Sequence, residues 1–312
     1  MILAEPVVEK QPKVTSHRFW VTMLAVVLFS LIGWVAMRGF DYYRLPLTDR
    51  PFHPGHSEFK PAGTTGLRLG ILACVIFALI YIYPLRKKFK FMRFMGSTKH
   101  VLDFHIVMGL AVSPIVALHS AFKFRGLAGM AFWIMIAVVV SGIVGRYLYA
   151  QIPRSRKDNE FSFAELEQMR IELAAQLEYQ QFAGLTEWED RITDLGRDSV
   201  RQMSLLGALF HMLTIDIRRP FQVAALRRAN LRFAEKVTTF GGLFKSSHME
   251  LEETIRLAKQ QSWLSAKIFF LDRAAQIFKL WHVIHRPFSY AFLVLAIAHI
   301  SMVMAMGYLP VN

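Results

Sequence analysis

Four histidines in the apolar part of the chain have the type and spacing to do chemistry. His105 and His119 lie in one apolar segment and His285 and His299 in another, and each pair is separated by 14 residues. In an α-helix, 14 residues turn through roughly 1400° and rise about 21 Å, which leaves both side chains on one face, about 40° from alignment. Each pair therefore predicts a helix that presents imidazoles at two depths, separated by most of the hydrocarbon thickness of a bilayer.

Two such helices facing each other would supply the protein ligands of b-type haem. The haem iron takes one axial nitrogen from each face of a flat macrocycle, and the apolar helices bury the porphyrin. One further apolar segment separates the two histidine-bearing segments, so both cross in the same direction. The pattern predicts two non-covalent haems b, with iron ligated by His105 and His285 at one level and by His119 and His299 at the other.

The single cysteine, Cys74, limits the other redox chemistry that the chain could perform. One cysteine excludes a disulfide framework, cysteine-ligated iron–sulfur clusters, a thiolate zinc site and C-x-x-C-H attachment of haem. No Gly-rich dinucleotide turn follows a strand-like segment, so the sequence indicates no site for a nicotinamide cofactor. Any electron donor or acceptor other than a lipid-soluble molecule is therefore expected on a separate protein.

Small and cationic residues near the histidines are the expected supports of a porphyrin. Gly109 and Gly142 are predicted to let the macrocycle approach the helices, although glycine also serves ordinary helix packing. Arg286 is predicted to pair with propionates at the level of His105 and His285. Further candidates of the same two kinds are Gly129, Gly145, Lys99, Lys123 and Arg125.

His282 is the one competitor for a ligand position. It precedes His285 by about one turn but lies about 100° from His299 around the helix, so it fits the shared face less well. We interpret it as a polar residue at the membrane interface, and whether it replaces His285 as a ligand stays open.

Composition and hydropathy place these histidines in a membrane protein. Of 312 residues, 54% are hydrophobic and only 19% are charged, and the net charge is +14. This combination favours anionic lipid as a partner over nucleic acid. Five segments are long and apolar enough to be transmembrane helices. They are 19–37, 67–83, 101–121, 127–149 and about 283–306.

The distribution of positive charge predicts how these helices are oriented. The 85–100 loop contains six Lys or Arg residues and no acid, so it is expected to be cytoplasmic. The N-terminus is then cytoplasmic too, and the chain is expected to be a multi-pass protein of a bacterial inner membrane.

A charged region interrupts the apolar pattern between the fourth and fifth segments. Residues 151–280 are predicted to be a cytoplasmic helical domain, and Gly184, Gly196, Pro220 and the Gly241-Gly242 pair are predicted to separate its helices. The expected architecture is all-α: transmembrane helices in 1–150, the helical insert in 151–280, and the fifth span with a short tail in 281–312.

Some of these motifs also resemble known families. Phe104-His105-Ile106, Leu118-His119-Ser120, Phe132-Trp133 and the run from Ser141 to Tyr149 are similar to a little-characterised family of bacterial di-haem membrane proteins. The paired H-x13-H pattern resembles the cytochrome b of quinol:cytochrome c reductases and, more closely, the ferric reductase and NADPH oxidase membrane domain. The resemblance covers about residues 100–155 and 280–305. It implies haem ligands on the third and fifth spans.

The expected function is that of a membrane cytochrome b, the electron-transfer subunit of an oxidoreductase complex. It would pass electrons between quinone or quinol and a separate flavoprotein, iron–sulfur protein or cytochrome c. The families' sixth span and flavin/NADPH region are not found, which argues against a self-contained ferric reductase. The alternative is a membrane transporter or scaffold that uses its intramembrane histidines for protons, metal or structure.

Overall fold

The protein is described by a computed structural model that covers residues 16–95, 98–152, 163–178, 200 and 202–307. These residues form helices joined by turns, and none of them lies in a β-strand. The predicted all-α fold is therefore confirmed for the described part of the chain. Residues Gly184 and Gly196 of the predicted insert lie outside the described ranges.

The helices vary widely in length. The short helices are α2 (Phe40–Tyr43), α3 (His56–Phe59) and α9 (Phe233–Thr238), and two 3-10 turns cover Arg50–Phe52 and Lys90–Met95. The long helices are α1 (Ser16–Arg38), α4 (Thr64–Lys88), α5 (Thr98–His119), α6 (Gly126–Gln151), α7 (Phe163–Glu178), α8 (Leu205–Asn230) and α10 (Met249–Ala305). At 57 residues, α10 is about 85 Å long.

Five helical segments are long and apolar enough to cross a membrane, as predicted. They are Ser16–Arg38, His56–Lys88, Thr98–His119, Gly126–Gln151 and Met249–Ala305, which places the protein in a membrane. All five observed helices begin before the predicted segments, because polar residues continue the helical hydrogen bonding ahead of the apolar run, and α5 ends two residues before its predicted limit. In α10 the continuation is longest, since the basic amphipathic stretch before the fifth span belongs to the same helix.

The described residues divide into two compact units. The first contains residues up to Gly142 and from His285 onward, and the second contains Ile143–Ile284. In the first unit α5 packs against α4 and α1. Its core residues come from α1, α4, α5, α6 and α10, and examples are Ile32, Ile76, Ile115, Met135 and Phe292. This packing holds both histidines of α5 among the other spans.

Arg50 closes the first unit at the end of α5 that carries His119. Its guanidinium is only 5% exposed and donates to the carbonyl oxygens of Leu45, Tyr43 and Ala121. Ala121 follows directly on the last turn of α5 and has a positive φ of 49°. Burial also raises the pKa of the neighbouring Tyr43 to about 12, which keeps this phenol neutral. The connection between α1 and α4 is thereby fixed to α5.

The second unit is held together by two kinds of contact. Leu177 of α7, Leu226 of α8 and Ile255 of α10 share one apolar core. A partly buried ion pair joins α8 to α10: two nitrogens of Arg227 donate to the two carboxylate oxygens of Glu252. Such a bidentate pair fixes the angle between the two helices more tightly than apolar packing alone.

Of two predicted helix boundaries in this unit, one lies between helices in the structure and the other lies inside a helix. Gly241 and Gly242 have positive φ values and lie in the turn between α9 and α10, as expected for helix punctuation. Pro220 instead lies inside α8, so the prediction that it separates helices is wrong. Proline removes one helical hydrogen bond, but α8 packs into apolar cores on both sides of Pro220, which offsets that loss.

Candidate functional site

The four predicted ligands are all half-buried on two long helices of the first unit. His105 and His119 lie on α5, and His285 and His299 lie on the part of α10 that follows Ile284. For three of them the structure shows which ring nitrogen is hydrogen-bonded.

His105 is oriented by a carbonyl oxygen that a proline leaves free. Its Nδ1 donates to the Ile80 oxygen of α4 over 3.0 Å. In a regular helix that oxygen would accept the N–H of residue 84, but this residue is Pro84 and has none. The Tyr83 ring lies beside the imidazole, with centroids 5.1 Å apart. The Nε2 atom of His105 therefore carries the lone pair and is available to a metal.

His119 is held by α4 in the same way, through two glycines. Its Nδ1 donates to the carbonyl oxygen of Gly66 over 2.8 Å. A Cβ atom on Gly70 would lie 2.7 Å from Cε1 of this imidazole, so only glycine lets the ring approach. His119 thus lies directly against α4, with its Nε2 free of the hydrogen bond.

His285 is oriented by a side chain of α6. The Ser141 hydroxyl donates to the Val138 carbonyl oxygen over 2.8 Å, so its oxygen accepts the Nδ1 hydrogen of His285 over 2.7 Å. Three of the four predicted ligands therefore have Nδ1 engaged by an acceptor. Metal-ligating histidines typically use their second nitrogen in this way, which fixes the tautomer and the ring orientation.

An electrostatic interaction links His119 with His299. Both ligand pairings, His119 with His299 and His105 with His285, stay predictions.

Glycines beside the histidines test whether a flat macrocycle could fit. A Cβ atom on Gly109 would meet nothing within 4 Å, and one on Gly142 would meet only Cε1 of His285, at 3.7 Å. Gly109 shares α5 with two of the predicted ligands, whereas Gly142 lies on α6 beside His285. The space at these two glycines is what the close approach of a porphyrin would require.

The two other glycines proposed as porphyrin supports have packing roles instead. A Cβ atom on Gly129 would lie 2.3 Å from the backbone of Phe124, and one on Gly145 would lie 2.2 Å from the Trp281 ring. Since these neighbours already fill the space, the interpretation of Gly129 and Gly145 as haem supports is wrong.

The remaining sequence candidates lie as follows. His282 donates from Nδ1 to the Phe278 carbonyl oxygen over 2.9 Å, and its ring packs edge-on against Phe278 and Trp281. The cationic side chains proposed for propionates, Arg286, Lys99, Lys123 and Arg125, are exposed. Exposure leaves them able to reach an anionic group near the ends of the helices.

Four orienting residues were not found by sequence reasoning: Gly66, Gly70, Ile80 and Ser141. Two signals for them exist in the sequence. Gly66 and Gly70 form a small-xxx-small pair, which indicates close approach of another helix. Pro84 inside an apolar segment indicates a free carbonyl four residues earlier. For Ser141 no such local signal exists, because its role depends on the approach of α10.

Among the described residues, no group of three or more His, Cys, Asp or Glu is placed to hold a metal ion. A porphyrin iron requires only two protein ligands, since the macrocycle supplies the other four nitrogens. No family model, no curated protein and no solved structure matches this chain.

Proposed function

We propose that this chain is a membrane cytochrome b subunit that carries two bis-histidine haems b. It passes electrons across the bilayer between quinone or quinol and a separate redox protein. The observation that supports the proposal is the orientation of His105, His119 and His285, whose Nδ1 atoms are each hydrogen-bonded to a group on a neighbouring helix. A haem supplies one-electron redox chemistry when bound between such imidazoles.

In this proposal the chain's own residues position and insulate. His105, His119, His285 and His299 would hold iron, and the acceptors on α4 and α6 orient the first three of these rings. The buried side chains around α5, such as Ile115 and Leu118, exclude water from between the helices. Gly109 and Gly142 leave room for the macrocycle, and Arg286 reaches a propionate.

The proposed function also implies where the protein resides and which kind of redox protein it contacts. The protein resides in a bacterial inner membrane with its N-terminus and its helical insert in the cytoplasm. A flavoprotein, iron–sulfur protein or cytochrome c exchanges electrons with it. An exposed apolar patch on and around α9 supports a docking role for the insert, and it includes Phe233, Val237, Phe240 and Phe244, each at least 62% exposed.

The visible spectrum of the purified protein tests the proposal most directly. Two haems per chain should co-purify, with the low-spin spectrum of iron that has both axial positions filled by imidazole. Protein that is free of haem after expression with ample haem supply would contradict the proposal. It would favour the alternative, a transporter or scaffold with structural or proton-carrying histidines.

The electron donor is tested separately. The reduced spectrum should appear on addition of a quinol analogue, because a lipid-soluble donor reaches the haems through the spans. NADH and NADPH should be ineffective, since the sequence has no dinucleotide motif and one cysteine. Rapid reduction by NADPH without an added flavoprotein would revive a self-contained reductase.

A further inference from the structure

One face of α8 carries a continuous row of large apolar side chains that the protein leaves uncovered. This apolar stripe consists of Leu206, Phe210, Leu213, Ile217 and Phe221, whose exposed fractions are 79%, 72%, 43%, 57% and 63%. Their spacing places all five within an arc of about 80° and over about 22 Å of helix. Such a row is costly in water and requires an apolar environment.

The opposite face of α8 shows what lies next to the stripe. Ala208 and Met212 are buried in one core with Leu148 of α6 and Phe270 of α10. Leu148 belongs to the last turn of Gly126–Gln151, a helix that is long and apolar enough to cross a membrane. The first half of α8 therefore packs alongside the Gln151 end of that span, at the depth where the span enters or leaves the bilayer.

Several polar groups of this part of α8 have hydrogen-bond partners inside the protein, whereas the buried Nε2 atom of His211 has none among the described residues. Residues 204–215 contain no Asp, Glu, Lys or Arg. The first acid, Asp216, accepts hydrogen bonds from Tyr147 and Gln151 and pairs with Arg219 over 3.0 Å. The Thr214 hydroxyl donates to the Phe210 carbonyl oxygen. Asp216 and Thr214 are thus both satisfied by partners within the protein.

The stripe ends where α8 enters the charged part of the chain. Three residues after Phe221, Ala224 lies at nearly the same angle around the helix and is buried. Val223 and Leu226 pack there with Leu251 of α10. The exposed Arg218 lies just before this change, where a cation can meet an anionic headgroup.

We infer that the first half of α8 is embedded in the lipid leaflet around the Gln151 end of α6, with its apolar stripe against the acyl chains. It is a membrane-embedded helix that does not span, in addition to the five candidate spans. The inference does not depend on haem or on the proposed function.

Spin labels on the full-length chain in nanodiscs test this inference. In a Cys74→Ser background, Phe210→Cys, Leu213→Cys and Ile217→Cys are labelled singly. Ala225→Cys is the control, because it is an exposed position of the same helix beyond the stripe. The stripe labels should be several-fold more accessible to oxygen than to a water-soluble nickel chelate, and the control label should show the reverse.

Two other outcomes would overturn the inference. Ready access of the nickel chelate to the stripe labels would place the stripe in water. Stripe labels shielded from both reagents would show that protein covers them, either a second copy of this chain or another subunit. Circular dichroism of each labelled variant verifies that the helices are retained, since all three substitutions are at exposed positions.

Discussion

At the scale of the residue, three of the predicted ligands are held at Nδ1 by a group on another helix, whereas Nδ1 of His282 donates to a carbonyl oxygen of its own helix. A buried histidine that is only structural can use either nitrogen. Here the protein engages Nδ1 in His105, His119 and His285, through a different acceptor in each case. Under the proposed function Nε2 would be the common iron-binding atom, and single substitutions test each ring.

Alanine at a ligand position should remove one haem and leave the other. His119→Ala or His299→Ala should lower the haem content from about two to about one per chain, because an iron that loses one axial imidazole is bound weakly. His105→Ala or His285→Ala should remove the other haem. The pyridine haemochrome assay gives the ratio, and His282→Ala is the control. If His282→Ala removes a haem and His285→Ala does not, His282 is the ligand.

Removing the acceptor of His285 should weaken haem binding without removing a ligand. Ser141→Ala takes away the oxygen that holds Nδ1, and loss of such an outer contact typically costs about 10–100-fold in metal affinity. Haem titration of the apoprotein measures the affinity. Thr214→Ala is the matched control for Ser141→Ala, since the Thr214 hydroxyl also donates to a carbonyl oxygen of its own helix but holds no predicted ligand. An equal loss in both variants would refute an orienting role for Ser141.

At the scale of the element, helix irregularities serve the site. Pro84 interrupts the hydrogen bonding of α4 and releases the Ile80 oxygen for His105. In a membrane, a carbonyl freed by proline needs a partner from a neighbouring helix. The oxygen that Pro84 leaves free is therefore satisfied by His105. A substitution at position 84 can test this contact separately from the stability of α4.

Pro84→Ala should lower haem content while keeping α4 helical. The new N–H at position 84 competes for the Ile80 oxygen, so His105 loses its exclusive acceptor. The haem-to-protein ratio and circular dichroism together measure the effect. Pro220→Ala is the control, because the carbonyl that Pro220 frees in α8 belongs to Asp216 and holds no histidine in the described residues. Unchanged haem content in Pro84→Ala would show that the Ile80 contact is incidental.

The Arg50 contacts predict a marked loss of stability. Arg50→Ala leaves three carbonyl oxygens without their donor, and an unsatisfied buried acceptor costs about 1–3 kcal/mol. We expect the free energy of unfolding in detergent to fall by about 2–4 kcal/mol. Arg44→Ala, which breaks an exposed pair with Asp41, should change it by less than about 1 kcal/mol. Similar effects of the two substitutions would contradict the closing role of Arg50.

At the scale of the whole molecule, the transmembrane helices carry the site and the insert lies between the last two of them in sequence. In the proposed function, the orientation of the chain in the membrane decides which haem would lie near which compartment. Positive charge is concentrated between α4 and α5, in the six basic residues of the 85–100 loop. This asymmetry is the basis of the proposed topology.

Reporter fusions should show this topology. Fusions in the 85–100 loop and in the 151–280 insert should both report the cytoplasm, and fusions near Pro54 and at the C-terminus should report the outside. Alkaline phosphatase and a fluorescent protein serve as paired reporters, because each is active on only one side. If the insert reports the outside, the orientation of the chain is inverted, and His105 and His119 exchange sides of the membrane.

The sequence by itself determined the features that arise from local periodicity. Hydropathy predicted five helices able to span a membrane, because apolar runs of that length are stable only in lipid or in a core. The 14-residue spacing placed each histidine pair on one face, because helix geometry alone decides that angle. The glycines were identified as small positions, but their neighbours were not.

Only the tertiary structure decided what each of those residues contacts. Gly142 lies beside open space and Gly145 against Trp281, although they are one turn apart on the same helix. The acceptors of His105 and His119 come from α4, and that of His285 comes from α6 across 144 positions of sequence. Such contacts depend on how distant helices pack, and helix packing is set by the sum of many side chains rather than by any local pattern.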